Sequence, residues 1–142
     1  MFRTEIQFND FLGNEKKATL YFNLSEQEVI ELVQKDPMFS SDYMSYVVAE
    51  QDIMKMFDIV RKIVALSYGT PSEDGNYFRK SPEITNDFLQ SAMYDVLMDK
   101  LINVDDVNYL QSFIVGVFPA KFSAELRKTM NAQPAISVVA NT

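Results

Sequence analysis

The side chains able to do chemistry in this sequence are carboxylates: there are 20 Asp and Glu residues, and no His or Cys. Four of them, Glu83, Asp87, Asp95 and Asp99, are spaced by multiples of four, which on a helix stacks them along one face. Such a stripe suits a basic partner or a divalent ion. A hard cation needs more oxygen ligands than one stripe offers, and the sequence shows no second cluster. The stripe therefore reads as a solvated helix face. Carboxylate acid–base catalysis is the other option, with Asp74 and Asp95 as the residues to test. The absence of His removes the commonest general base and the usual triad partner. The absence of Cys removes thiolate metal sites. The segment GTPSEDGNYF (69–78) is rich in turn residues but lacks the Lys-Ser/Thr ending of a phosphate loop. No catalytic residue, metal site or cofactor is expected.

Composition narrows the class further. With 142 residues, 47% of them hydrophobic and including 11 Phe and 7 Tyr, the chain can build a core without staples. The net charge is −7, which disfavours phosphate backbones and so nucleic acid. Residues 1–119 hold 10 of the 13 basic and 19 of the 20 acidic residues, so the acidity belongs to the body of the chain and not to its last segment. No apolar run approaches the roughly 20 residues that span a bilayer, and no basic-then-apolar leader opens the chain. A soluble, cytoplasmic protein is expected, with no membrane partner.

The elements follow from periodicity. Phe2, Thr4, Ile6 and Phe8 alternate with polar residues, as do Ala18, Leu20, Phe22 and Leu24, around a turn at Gly13-Asn14. Two such runs predict a β-hairpin. An isolated hairpin is marginal in water, so its apolar face must sit on helices or on another subunit, and its edges are open to pairing. Ser25 to Glu28 forms a capping box for a short helix with Val29, Ile30, Leu32 and Val33 on its apolar side, ended by Asp36-Pro37. A long helix over about 42–68 is then predicted, capped by Asp42. Its seam is Tyr46, Ala49, Ile53, Met56, Val60 and Ile63, and Gly69 serves as its left-handed terminator. Asp74-Gly75 predicts a tight type I′ turn. Ser81-Pro82 opens a helix reaching about Lys100, with Leu89, Ala92, Met93, Val96 and Leu97 on one side. Val107, Leu110, Phe113, Ile114 and Val117 mark another helix, stopped by Pro119. The reading is an α+β fold: an N-terminal β-hairpin packed on a bundle of four to five α-helices. Residues 1–119 form one domain, with the hairpin over 2–24 and the helical part over 25–119. Residues 120–142 are expected to add a short helix, through Phe122, Leu126 and Met130, and a loose tail.

Three stretches, taken together in order, carry a resemblance. They are TLYFNLSEQEVIEL (19–32), SYGTPSEDGNYFRKSPE (67–83) followed by Phe88, Ser91, Ala92 and Tyr94, and QSFIVGVFP (111–119). This pattern resembles the tail assembly chaperones of tailed bacteriophages, in the form found in phages and prophages of Gram-positive hosts. The resemblance covers residues 1–119. It implies a non-enzymatic protein that binds the tape measure protein, keeps it soluble and promotes assembly of the tail tube around it. The tail-tube protein is then a second partner. A homo-oligomer is a separate expectation, from the open edges of the hairpin. It further implies action in the host cytoplasm and absence from the mature virion. A longer, frameshifted product is often made in such families. The interaction surface is expected on the loop and the helix after it, at Tyr77, Phe78, Arg79, Phe88 and Tyr94. The alternative is a structural virion component, such as a connector or minor tail protein.

Overall fold

The computed structural model describes residues 1–103 and 105–122. Two strands, β1 (Phe2–Asn9) and β2 (Glu15–Phe22), form the expected hairpin in the register Phe2 opposite Phe22 through Asn9 opposite Glu15. Alternation puts Arg3, Glu5 and Gln7 in solvent and turns Ile6, Leu20 and Phe22 inward. The capping box forms as the sequence requires. Ser25 Oγ accepts from the N–H of Glu28 at 3.2 Å and the Ser25 N–H donates to Glu28 Oε1 at 3.0 Å, which opens α1 (Glu26–Lys35). Val29 is buried, whereas Val33, expected on the apolar side, is exposed.

The predicted long helix is two helices. A 3₁₀ turn (Pro37–Phe39) leads into α2 (Ser41–Ala49), and α3 (Ile53–Ser67) follows a break. The cap of α2 is Ser40 rather than Asp42, because Ser40 Oγ accepts from the Tyr43 N–H at 3.1 Å. Gln51 takes a φ of 53° and Asp52 then caps α3 through the Lys55 N–H. The break swings the expected seam apart. Tyr46, Ala49 and Ile53 lie in solvent, Val47 is buried in their place, and only Val60 and Ile63 of the seam are buried.

Gly69 is not a left-handed terminator either. It lies in β3 (Tyr68–Pro71), which pairs with β2 through Tyr21 opposite Gly69 and Phe22 opposite Tyr68. A Cβ there would sit 2.6 Å from Phe78 Cε2 and 2.7 Å from the Arg79 carbonyl oxygen, so glycine is required by close approach rather than by dihedral freedom. A two-residue strand, β4 (Phe78–Arg79), completes an antiparallel sheet of order β1-β2-β3-β4. The edge of β2, expected to be open, is therefore covered by β3.

Ser81 caps α4 (Pro82–Leu89) by accepting from the Ile84 N–H at 3.1 Å. The helix predicted to reach Lys100 breaks at Gln90-Ser91, where the Ser91 hydroxyl donates back to the Phe88 carbonyl at 2.7 Å. It resumes as α5 (Ala92–Leu101), and α6 (Val107–Val117) follows as expected. Beyond Phe122 the expected short helix and loose tail lie outside the described residues.

The core lies between one face of the sheet and the helices. Ile6, Leu20 and Phe22 meet Ile63 and Val64 of α3, Leu97 and Leu101 of α5 and Phe113 and Val117 of α6. An aromatic chain runs through it. Tyr94 meets Phe88 edge-on, Phe88 stacks on Tyr68 at 4.0 Å between centroids, and Phe22, Phe113, Phe2 and Tyr109 continue the series at 5.3–5.9 Å. Backbone bonds from the Asn23 N–H to Ser67 O at 2.8 Å and from the Leu24 N–H to Val117 O at 3.0 Å tie the hairpin exit to the ends of α3 and α6.

Candidate partner-binding surface

Both hairpins of the sheet point their turns toward the same end. β2 runs from its turn at Glu15 to Phe22, and β3 starts beside Phe22 and runs back antiparallel to it. The β1–β2 turn therefore reaches about four residues, roughly 13 Å, past the start of the β3–β4 turn.

The two turns are built alike. In the first, Asp10 Oδ1 accepts from the N–H groups of Leu12 and Asn14 at 2.9 and 2.8 Å, and its other oxygen meets Lys16 Nζ at 2.9 Å. Gly13 supplies the positive φ, at 85°. In the second, Asp74 Oδ1 accepts from Ser72 Oγ at 2.6 Å and from the Asn76 N–H at 3.0 Å, and Gly75 has a φ of 78°. Only the glycine is left-handed there, so the turn is not the expected type I′, which needs two such residues. The Lys16 ammonium and the Asn14 and Leu12 N–H groups hold the Asp10 carboxyl down at about 2. The Ser72 hydroxyl and the Asn76 N–H likewise lower that of Asp74. Both aspartates are thus fixed as charged acceptors that rigidify their turns.

What the turns display is apolar. Phe11 is 81% exposed, Leu12 88% and Tyr77 60%. The Arg79 guanidinium lies 5.3 Å from the Tyr77 ring centroid, so the two act as one amphipathic unit. A second exposed group, Tyr46, Ile53 and Met54, flanks the α2–α3 break.

Of the residues expected to meet a partner, Tyr77 stands on the second turn, and Arg79 is exposed just after it in β4. Phe78 is half-buried against Gly69, with Lys80 Nζ 5.7 Å from its ring. Phe88 is a core residue, 2% exposed and stacked on Tyr68, so it supports the surface from beneath. Tyr94 is half-buried at the end of the aromatic chain. Phe11 and Leu12 escape the sequence reading. Their one signal is two large apolar residues inside the turn Asp10 to Asn14, where polar residues are the rule. The acidic stripe is solvated, as expected, with Glu83 and Asp87 on α4 and Asp95 and Asp99 on α5 all exposed. Among the described residues no group of three or more carboxylates is placed to hold a metal ion, and no helix is long and apolar enough to cross a membrane.

This arrangement has the parts of a binding surface: rigid turns and displayed apolar side chains. No curated protein and no solved structure matches the chain. A family model described as phage tail assembly chaperone matches residues 1–141, nearly the whole length. With that match and the hairpin-on-helices fold in hand, the chain belongs to the phage tail assembly chaperone family.

Proposed function

We propose that this chaperone binds the tape measure protein, keeps it soluble and passes it to the tail-tube protein, without catalysing any reaction. The observation that carries the reading is the pair of stiff turns holding Phe11, Leu12 and Tyr77 in solvent. An exposed apolar side chain on a preformed turn loses little conformational freedom on binding, so its burial goes into affinity. A tape measure chain exposes apolar helical faces until the tube encloses them, and such faces aggregate. Holding them by mass action needs no nucleotide, only release when tube subunits compete. The net charge of −7 helps keep a loaded complex dispersed. Such a protein works in the host cytoplasm during assembly and leaves before the virion is complete.

Co-expression with the cognate tape measure protein tests this. The unaltered chain is expected to raise the soluble tape measure yield and to co-purify with it. The double variant Phe11→Ser/Leu12→Ser is expected to fold and to bind at least about tenfold more weakly, since two apolar side chains are worth over 1.4 kcal/mol. A tape measure protein that stays insoluble and unbound beside the unaltered chain overturns the proposal. Mass spectrometry of purified particles separates it from a structural virion component, which would persist at fixed stoichiometry.

A further inference from the structure

We infer that the outer edge of β1 is a self-association surface, on which a second copy of this chain pairs its own β1 antiparallel about Thr4. β1 is eight residues long and terminal in the sheet, paired on one side only, with β2. Among the described residues no backbone hydrogen bond outside that pairing involves residues 2–9. Such an edge is a template for another strand.

The occupant follows from the charges. Arg3 and Glu5 are the charged residues of β1, with side chains 61% and 74% exposed on the outward face. Across β2 they face Tyr21 and Thr19, so neither has a charged cross-strand partner. Their contact with each other is long, at 3.9 Å. In a two-fold antiparallel pairing centred on Thr4, Arg3 of each copy lies opposite Glu5 of the other, giving two opposite-charge pairs. Phe2 then faces Ile6 of the second copy on the inner side. Centring on Arg3 or on Glu5 instead places like charges directly opposite, which is unfavourable. Centring on Ile6 places no charges opposite each other. The sequence Arg3-Thr4-Glu5 is thus self-complementary in one register, as an isologous interface requires. The inference does not depend on which tail protein the chain holds.

The test is the mass of the full chain by light scattering over a concentration series, with circular dichroism to confirm folding. The unaltered protein is expected to dimerise. Arg3→Glu alone and Glu5→Arg alone each turn both pairs into like-charge pairs, and each is expected to weaken the dimer on the order of tenfold or more. The double variant Arg3→Glu/Glu5→Arg restores both pairs and is expected to dimerise again. An equimolar mixture of the two single variants sets two acidic side chains on one copy against two basic ones on the other, and should give a heterodimer where neither variant pairs with itself. A folded monomer at every concentration overturns the inference. So does a dimer indifferent to both single variants, or single variants that stay monomeric when mixed.

Discussion

Adding one methyl group at Gly69 would press it against Phe78 and the Arg79 carbonyl, one a ring in the sheet and the other backbone. Neither can move without opening β3 from β4. Gly69→Ala is therefore expected to destabilise the fold by about 1–3 kcal/mol, read as a lower urea midpoint. An unchanged midpoint would mean the β3–β4 turn floats free of the sheet. Asp10 gives a second residue-scale expectation, for pH. Its carboxyl titrates at about 2 in the folded chain against an ordinary 3.8. A carboxyl lowered by folding stabilises the fold above its unfolded value, and that contribution disappears as pH falls from about 3.8 through about 2. Carbon NMR of the Asp10 carboxyl should show a midpoint near 2, whereas a midpoint at 3.8 would mean that the turn is not fixed by Lys16 and Asn14. At this scale the sequence is legible wherever the interaction is local. The Ser25 and Ser81 caps can be read from four consecutive residues, and both form. Gly69 misleads because a glycine after a helix looks the same whether it needs a positive φ or close approach to a distant ring. Phe88 misleads because burial depends on Tyr68 and Phe22, which its neighbours in sequence do not reveal.

Helix breaks are the element-scale surprise. Neither Glu50 to Asp52 nor Gln90-Ser91 contains Gly or Pro, so apolar spacing runs through both and predicts longer helices. The first break rests on Gln51 in the left-handed region, with a φ of 53°. A residue with a Cβ is costly there. Gln51→Gly is expected to raise stability by about 0.5–1 kcal/mol, and Gln51→Val to lower it, in thermal melts. Changes of the same sign in both would place the break elsewhere. The second break follows the hydroxyl of Ser91 returning to Phe88, so that α4 stops with its Phe in the core and α5 restarts at Ala92. Strands are easier to read, because alternation reports the buried face directly. The pairing of β2 with β3 lies beyond the sequence, since four residues ending in a proline carry no strand signal of their own.

At the scale of the whole molecule, stability and display are separated. The aromatic chain from Tyr94 to Tyr109 links α4, α5 and α6 to three of the four strands. Phe11, Leu12 and Tyr77 stand outside it. Serine at Phe11 and Leu12 should accordingly shift stability by no more than about 0.5 kcal/mol while binding falls. A large loss of stability would mean that the turn belongs to the core. The family is legible in the sequence because order and spacing of short segments survive without knowing their contacts. The displayed surface is less so, because exposure of an apolar residue is settled only once the sheet is built.

The bond from the Leu24 N–H to the Val117 carbonyl, and the approach of Phe2 to Gly116, join the hairpin and its exit to α6. On a ribosome that junction has a timetable. At roughly 5–20 residues per second, the hairpin emerges some 5–20 s before α6 can cover it. Through that interval the sides of Phe2 and Phe22 that Phe113 will cover stay bare, so the newborn chain carries an unfinished apolar face until its last described helix arrives.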